Sequence, residues 1–291
     1  MVFSPITLRD RTNSPHSVKV IRPASFSPSR IVNDLVALSQ YRDLLYTLSA
    51  HRVKVRYKQS ALGIAWAIVQ PVALMVIYTL IFTYVARVPA SGKAPYPVQL
   101  YSALLVWTFF STALTTATNG LVSHSHLVTK VYFPREILPL TYVVAGLFDL
   151  AIASPVLIGL MLFYQAPLSL NIFYAIPIIV IMTLFISAAA FFLSALQVRF
   201  RDIGMALPLV LQIWMFASPV IYPISAVPER VRPLYMLNPM AGVVENFRMV
   251  VVEGVPPNLY ELGTSAAIAV VLLPVAYIYF KHVEATIADV I

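Results

Sequence analysis

Arg52-Val-Lys-Val-Arg-Tyr-Lys58 is followed, from Ala61 to Ala86, by ALGIAWAIVQPVALMVIYTLIFTYVA, twenty-six residues without one Asp, Glu, Lys or Arg. At about 1.5 Å per residue, an uncharged helix of this length spans the roughly 30 Å hydrocarbon core of a bilayer with some tilt. Arg52, Lys54, Arg56 and Lys58 crowd its N-terminal edge, and such a cluster marks that edge as cytoplasmic. The junction therefore predicts a membrane protein and sets its orientation.

The rest of the chain fits that solvent. It has 291 residues, 59% of them apolar and 11% charged, with a mean hydropathy of +0.81. Ordinary soluble domains carry about 25% charged residues. The net charge of +8 would suit nucleic acid, but the charges sit at segment ends and in the N-terminal stretch, so no nucleic-acid partner is expected. The absence of cysteine excludes disulfides and thiolate metal sites. Residues 1–30 hold Pro5, Pro15, Pro23, Pro28 and six serines with no apolar run. They read as a disordered basic cytoplasmic tail and not as a cleavable signal.

Uncharged windows predict six spans, near 62–86, 97–120, 138–163, 171–197, 204–221 and 262–280. The window Leu150–Val198 is forty-nine residues long, and Pro167 and Asn171 divide it. With both termini cytoplasmic, fifteen Lys/Arg lie inside and five outside, in the sense the positive-inside rule favours. Residues 31–60 form an amphipathic interface helix and the basic junction. Leu38, Tyr41, Leu45 and Leu48 fall on one helical face, and Asn33, Gln40, Asp43 and Thr47 on the other. Residues 61–291 make the transmembrane domain. The link 222–261 carries six prolines, and its apolar stretch from Pro233 to Val244 is too short to cross. Asn238 before Pro239 is a helix start, so one or two short re-entrant helices are expected on the outer side. The fold class is all-α.

Several residues carry candidate chemistry. Lys130, Val131, Tyr132, Phe133, Pro134, Arg135 and Glu136, in the loop between spans two and three, place aromatics beside opposite charges. That suits a docking patch, although an interfacial aromatic belt would look the same. Asp149 lies about eleven residues into span three, near the midplane, with Gln70 and Gln212 as partners at similar depth. An intramembrane acid is a functional candidate by default; a hydrogen-bonded packing role is the plainer reading. Tyr78, Trp107, Phe110, Trp214 and Phe216 fall inside spans and could line a channel for sugars. His124 and His126 lack a third ligand, so no metal site is expected. Glu245 and Arg248 suit a local ion pair. Ala61/Ala65, Ala113/Ala117 and Ala190/Ser194 permit close helix contact. No glycine has another five residues on, so there is no phosphate-binding loop of the Walker A type.

Arg56-Tyr-Lys-Gln-Ser-Ala-Leu-Gly-Ile-Ala-Trp66 with Gln70-Pro71, Lys130 to Leu140, Val198-Arg-Phe-Arg-Asp202, Trp214 to Pro223 and Leu237 to Arg248 together resemble ABC-2 type permeases that export lipid-linked polysaccharide. The likeness covers about 40–291 and is nearest the O-antigen and teichoic-acid branch. It implies a homodimer of six-helix subunits in the bacterial inner membrane, bound to two ATPase subunits that carry ATP and Mg. This chain would hold no cofactor and catalyse nothing. It also implies a channel at the dimer interface lined by spans one, two and five, a coupling segment at 130–136, and an outer gate after span five. The substrate would be a polyprenyl-pyrophosphate-linked glycan of O-antigen, teichoic-acid or capsule type.

Arg52, Lys54, Arg56 and Lys58 then have a second candidate role, meeting the lipid pyrophosphate at the cytoplasmic entrance; setting topology explains them equally. Two other classes fit less well. A secondary transporter would carry more intramembrane ionisable groups, and a membrane glycosyltransferase would carry an acidic or metal-binding cluster at one face.

Overall fold

The computed structural model describes residues 40–58, 60–85, 94–130 and 133–290, with side chains omitted at 84, 85 and 285–290. The expected tail 1–30, the start of the expected interface helix (31–39, with Leu38) and Val131 and Tyr132 of the candidate docking loop lie outside the described residues. The described residues are helical with no strand. In chain order the helices are α1 (Arg42–Lys58), α2 (Trp66–Leu80), α3 (Tyr96–Thr118), α4 (Gly120–Ser123), α5 (Ser125–Lys130), α6 (Ile137–Phe163), α7 (Ala175–Arg199), α8 (Asp202–Phe216), α9 (Arg232–Tyr235), α10 (Pro239–Arg248) and α11 (Leu259–Val290).

Among the described residues, five helical segments are long and apolar enough to cross a membrane: Gly63–Thr83, Tyr96–Thr118, Ile137–Phe163, Leu170–Arg199 and Leu259–Glu284. Their bounds lie close to the expected windows because charge, proline and asparagine interrupt the chain where the helices end. The break inside the long apolar window falls where Pro167 and Asn171 place it. Ser169 Oγ accepts from the Asn171 N–H, and the Asn171 amide donates to the Gly254 carbonyl at 2.7 Å. Gly254 adopts φ +69, a left-handed turn that a side chain would strain.

α3 is the central helix, the most buried of the five candidate spans, and it packs against α2, α6, α7, α8 and α10. α11 runs against α7, and α1 lies along α6. Tyr41, Leu44, Leu45 and Leu48 of the interface helix pack on a second apolar cluster built around Leu121, Ile137, Phe191 and Phe280. Of the small-residue pairs, Ala113/Ala117 and Ala190/Ser194 are buried; Ala61 is exposed and Ala65 half-buried.

The expected fifth span, 204–221, is the departure. Its helix α8 stops at Phe216 after 15 residues, about 22 Å of rise against a core of about 30 Å. Pro219 and Pro223 offer no N–H to continue it. The irregular chain that follows is buried at Ser218, Val220 and Ile221, and side chains satisfy its carbonyls. The Asn238 amide donates to Ala217 O (3.1 Å) and Ser218 Oγ (2.8 Å), Arg248 Nη2 to Pro219 O (2.5 Å) and Tyr96 Oη to Ile221 O (2.8 Å). Irregular backbone at membrane depth is tolerated where protein supplies its hydrogen bonds in this way.

The expected short helix in the following link is α10. Asn238 caps it by accepting from the Met240 N–H at 3.0 Å, Pro239 occupies its first turn, and all ten of its residues are buried. Gly242 lets α10 press on α11: a Cβ there would sit 2.3 Å from Ser265 Oγ.

Candidate functional site: a polar cavity and a docked loop

The basic junction does not act as one cluster. Lys54 and Lys58 point outward, while Arg52 and Arg56 turn onto α6. Arg56 pairs with Asp149, and Tyr57 Oη donates to the other oxygen of the same carboxylate at 2.7 Å. Asp149 stands twelve residues into α6, about 18 Å along its axis. A carboxylate this largely withdrawn from water needs a cation and hydrogen bonds. The expected partners Gln70 and Gln212 do not supply them: Gln212 lies on the exposed face of α8, and Gln70 faces the same cavity without bonding the acid. The end of the interface helix supplies them, reaching in from a distant part of the chain. Burial pushes the Tyr57 hydroxyl up to about 12, so it remains a donor.

These groups border a cavity of about 300 Å³. Trp66, Gln70 and Pro71 close one side. Thr108, Thr112 and Thr116 of α3 line another at four-residue spacing, one helical face. Gly146 lets α6 approach α3 below it, since a Cβ would meet Phe109 at 2.9 Å. A carboxylate–guanidinium pair, hydroxyls and an indole in one membrane-embedded hollow can hold a polar, hydroxyl-rich or anionic ligand among apolar walls. Sequence reasoning missed Tyr57 and the threonine stripe. The stripe was visible as three hydroxyls four apart in an otherwise apolar span.

Arg52 lies 4.1 Å over the Tyr142 ring, and its guanidinium meets His124 Nε2 at 2.8 Å. His124 Nδ1 lies 3.0 Å from the Gly120 carbonyl. A carbonyl only accepts, so Nδ1 carries the proton and Nε2 offers its lone pair to Arg52. Burial, then the Arg52 charge, holds the His124 pKa below its ordinary value, with His51 adding in the same sense. Protons therefore bind the unfolded or undocked imidazole first. The stability this contact contributes is complete above the ordinary histidine pKa of about 6.5 and is lost as pH falls below it. Protection factors of the α1 amides near Arg52, corrected for the intrinsic rise of exchange with pH, should be lower at pH 5.5 than at pH 7.5, and His124→Gln should abolish that difference; an equal pH response in the variant would contradict the assignment. His126 is exposed, and the described residues contain no metal-binding cluster.

The aromatics expected in a channel divide. Trp107 (5% exposed) and Phe110 (0%) are core residues. Phe110 packs on Trp107 and Trp214 at 5.2 Å and on Phe185 at 5.9 Å, a cluster worth more as packing than as a surface. Trp214 Nε1 donates to Asn238 Oδ1 at 3.0 Å. Phe216 is exposed, and Tyr78, packed against Phe82, and Trp214 are half-buried. Sequence could not separate these cases, because lipid-facing and protein-facing side chains are both apolar.

Of the loop 130–136, the described residues from Phe133 to Glu136 are at least half-buried. Phe133 is buried in the second apolar cluster with Ile137, Phe191, Tyr277 and Phe280, so it offers no face for docking. Glu136 is 1% exposed. It takes Lys281 Nζ at 2.8 Å and the Tyr277 hydroxyl at 3.2 Å. Burial, with Glu284 nearby, raises the Glu136 pKa against the pull of Lys281. Lys130 is exposed, and Pro134 and Arg135 are half-buried. On the far link, Glu245 and Arg248 do pair, at 2.8 Å, but as a buried ion pair instead of a surface one.

Helices of this length and apolarity around a polar cavity define a multi-pass helical membrane protein. The chain belongs to the ABC-2 type transporter family, which it matches over residues 43–252. It is 32% identical over 255 residues to an O-antigen export system permease protein of Myxococcus xanthus, covering 87% of this chain and 95% of that one. It is 30% identical over 162 residues to an O-antigen export system permease protein of Klebsiella pneumoniae, covering 55% of this chain and 61% of the other.

Proposed function

We propose that this chain is the permease subunit of an ATP-driven exporter that moves a polyprenyl-pyrophosphate-linked glycan of O-antigen type across the bacterial inner membrane. The near full-length similarity to the Myxococcus xanthus permease supports this reading most strongly. Two copies form the conduit, and two separate ATPase subunits bind ATP and Mg and dock on the cytoplasmic loop 130–136. Both termini are cytoplasmic. Closure of the ATPase pair moves that loop and α1, which carry the motion to the spans around the cavity. The link containing α9 and α10 gates the outer side. Deletion of the gene should leave the lipid-linked glycan accumulating in the inner leaflet; unchanged surface glycan with no accumulated precursor would contradict the proposal.

In this reading the outward-facing Lys54 and Lys58 attract the lipid diphosphate at headgroup level, and Arg56 waits beside the cavity. Each surface lysine is worth about 1 kcal/mol toward an anionic headgroup, about fivefold in affinity. Lys54→Gln with Lys58→Gln should therefore weaken binding of polyprenyl pyrophosphate in nanodiscs by about 25-fold. Unchanged binding would leave these lysines a topological role alone.

A further inference from the structure

The end of the last helix grips the docking loop. Tyr277, Lys281 and Glu284 are spaced four and three residues apart, so they share one face of α11. That face meets two consecutive loop residues. Lys281 Nζ lies 2.8 Å from Glu136 Oε1 and 2.9 Å from Glu284 Oε2. Tyr277 Oη donates to the same Glu136 oxygen. The Arg135 N–H donates to Glu284 Oε1 at 3.2 Å, and Arg135 Nη1 donates to the Glu284 backbone carbonyl at 2.7 Å. Phe133 packs in the apolar cluster that holds Tyr277 and Phe280.

This arrangement carries a mechanical consequence. Covalently, the loop belongs to α5 and α6. Through Lys281 it is also bound to α11, which packs along α7. Lys281 is 20% exposed and Glu136 2% by side chain, so water competes little for the pair. Removing the ammonium leaves a buried carboxylate without its cation. A push on the loop is thereby delivered to a second pair of helices besides the one it precedes.

We propose that Lys281 is a positioning residue for energy coupling: it clamps Arg135 and Glu136 to α11, so the last helix moves with the docking loop. This rests on the reading of 130–136 as the ATPase-docking segment. Lys281 touches neither nucleotide nor glycan in this role; it acts through Glu136 and Glu284.

The test uses the permease–ATPase complex in nanodiscs with lipid-linked glycan as the probe. Lys281→Met should co-purify with the ATPase at wild-type stoichiometry and hydrolyse ATP at the basal rate. Its glycan-stimulated increment should fall about tenfold, within the usual range of coupling between sites. Lys281→Arg, which keeps the charge and reach, should restore stimulation. Wild-type stimulation in Lys281→Met overturns the clamp. If that variant does not fold, Glu284→Met at a partly exposed position removes the side-chain acceptor of both the Arg135 N–H and Lys281 Nζ, leaving only the backbone contact, and undiminished stimulation there overturns it equally. Should no ATPase accompany the unaltered chain, the functional reading falls and the clamp with it. A complex that forms and is stimulated normally without Lys281 removes the clamp alone.

Discussion

Arg248→Met should destabilise the protein by about 3–5 kcal/mol, the usual cost of leaving one charge of a buried pair without its partner. Arg248 is 3% exposed. It joins Glu245 on α10 to the Pro219 carbonyl, where α8 has already ended. The substitution therefore strands a buried carboxylate and an unsatisfied carbonyl together. Arg248→Lys keeps the charge, but one ammonium cannot hold both groups with the fixed fork of a guanidinium. It should lose about half as much. Thermal unfolding of the detergent-purified permease reads both. A midpoint for Arg248→Met within a degree of wild type would show that the irregular segment after Phe216 does not depend on this side chain.

Asp149→Leu carries the second large expectation. It removes the acceptor for both Arg56 and the Tyr57 hydroxyl, and should cost about 2–3 kcal/mol, toward the low end for a pair because the Arg56 side chain is 30% exposed. Asp149→Asn keeps an oxygen for one of the two donors and should cost less, about 1–2 kcal/mol. Loss of the anchor should also free the end of α1 from α6. Amide exchange across Arg52–Lys58 should therefore rise in Asp149→Leu while α3 stays protected. Unchanged exchange in α1 would mean that apolar contacts alone hold it there.

The two variants probe what sequence reading could and could not reach. The spans were legible because a bilayer imposes length and excludes charge, so uncharged windows, Pro167 and Asn171 nearly delimit the helices. Asn238 before Pro239 was legible as a cap because its chemistry is local. Facing was not legible. In a soluble helix apolar periodicity marks the buried side; here Trp107 and Phe110 in the core and Phe216 on the surface are equally apolar. Long-range partners were hidden for a different reason. Arg56 and Asp149 are separated by 93 residues, and Glu136 and Lys281 by 145, so nothing in either neighbourhood names the other. The shortened α8 could have been suspected from Pro219 and Pro223. The tolerance for its broken end depended on Asn238, Tyr96 and Arg248, which lie elsewhere in the chain.

The reading that joins these features is a membrane conduit driven by a separate ATPase, and reconstitution tests it most directly. Lipid-linked glycan is placed on one side of proteoliposomes containing this chain with or without its ATPase pair, and its appearance on the other side is followed after ATP is added. Translocation only when both proteins and hydrolysable ATP are present is the expected result. Translocation by this chain alone, or none with the complete, ATP-hydrolysing complex, would contradict it.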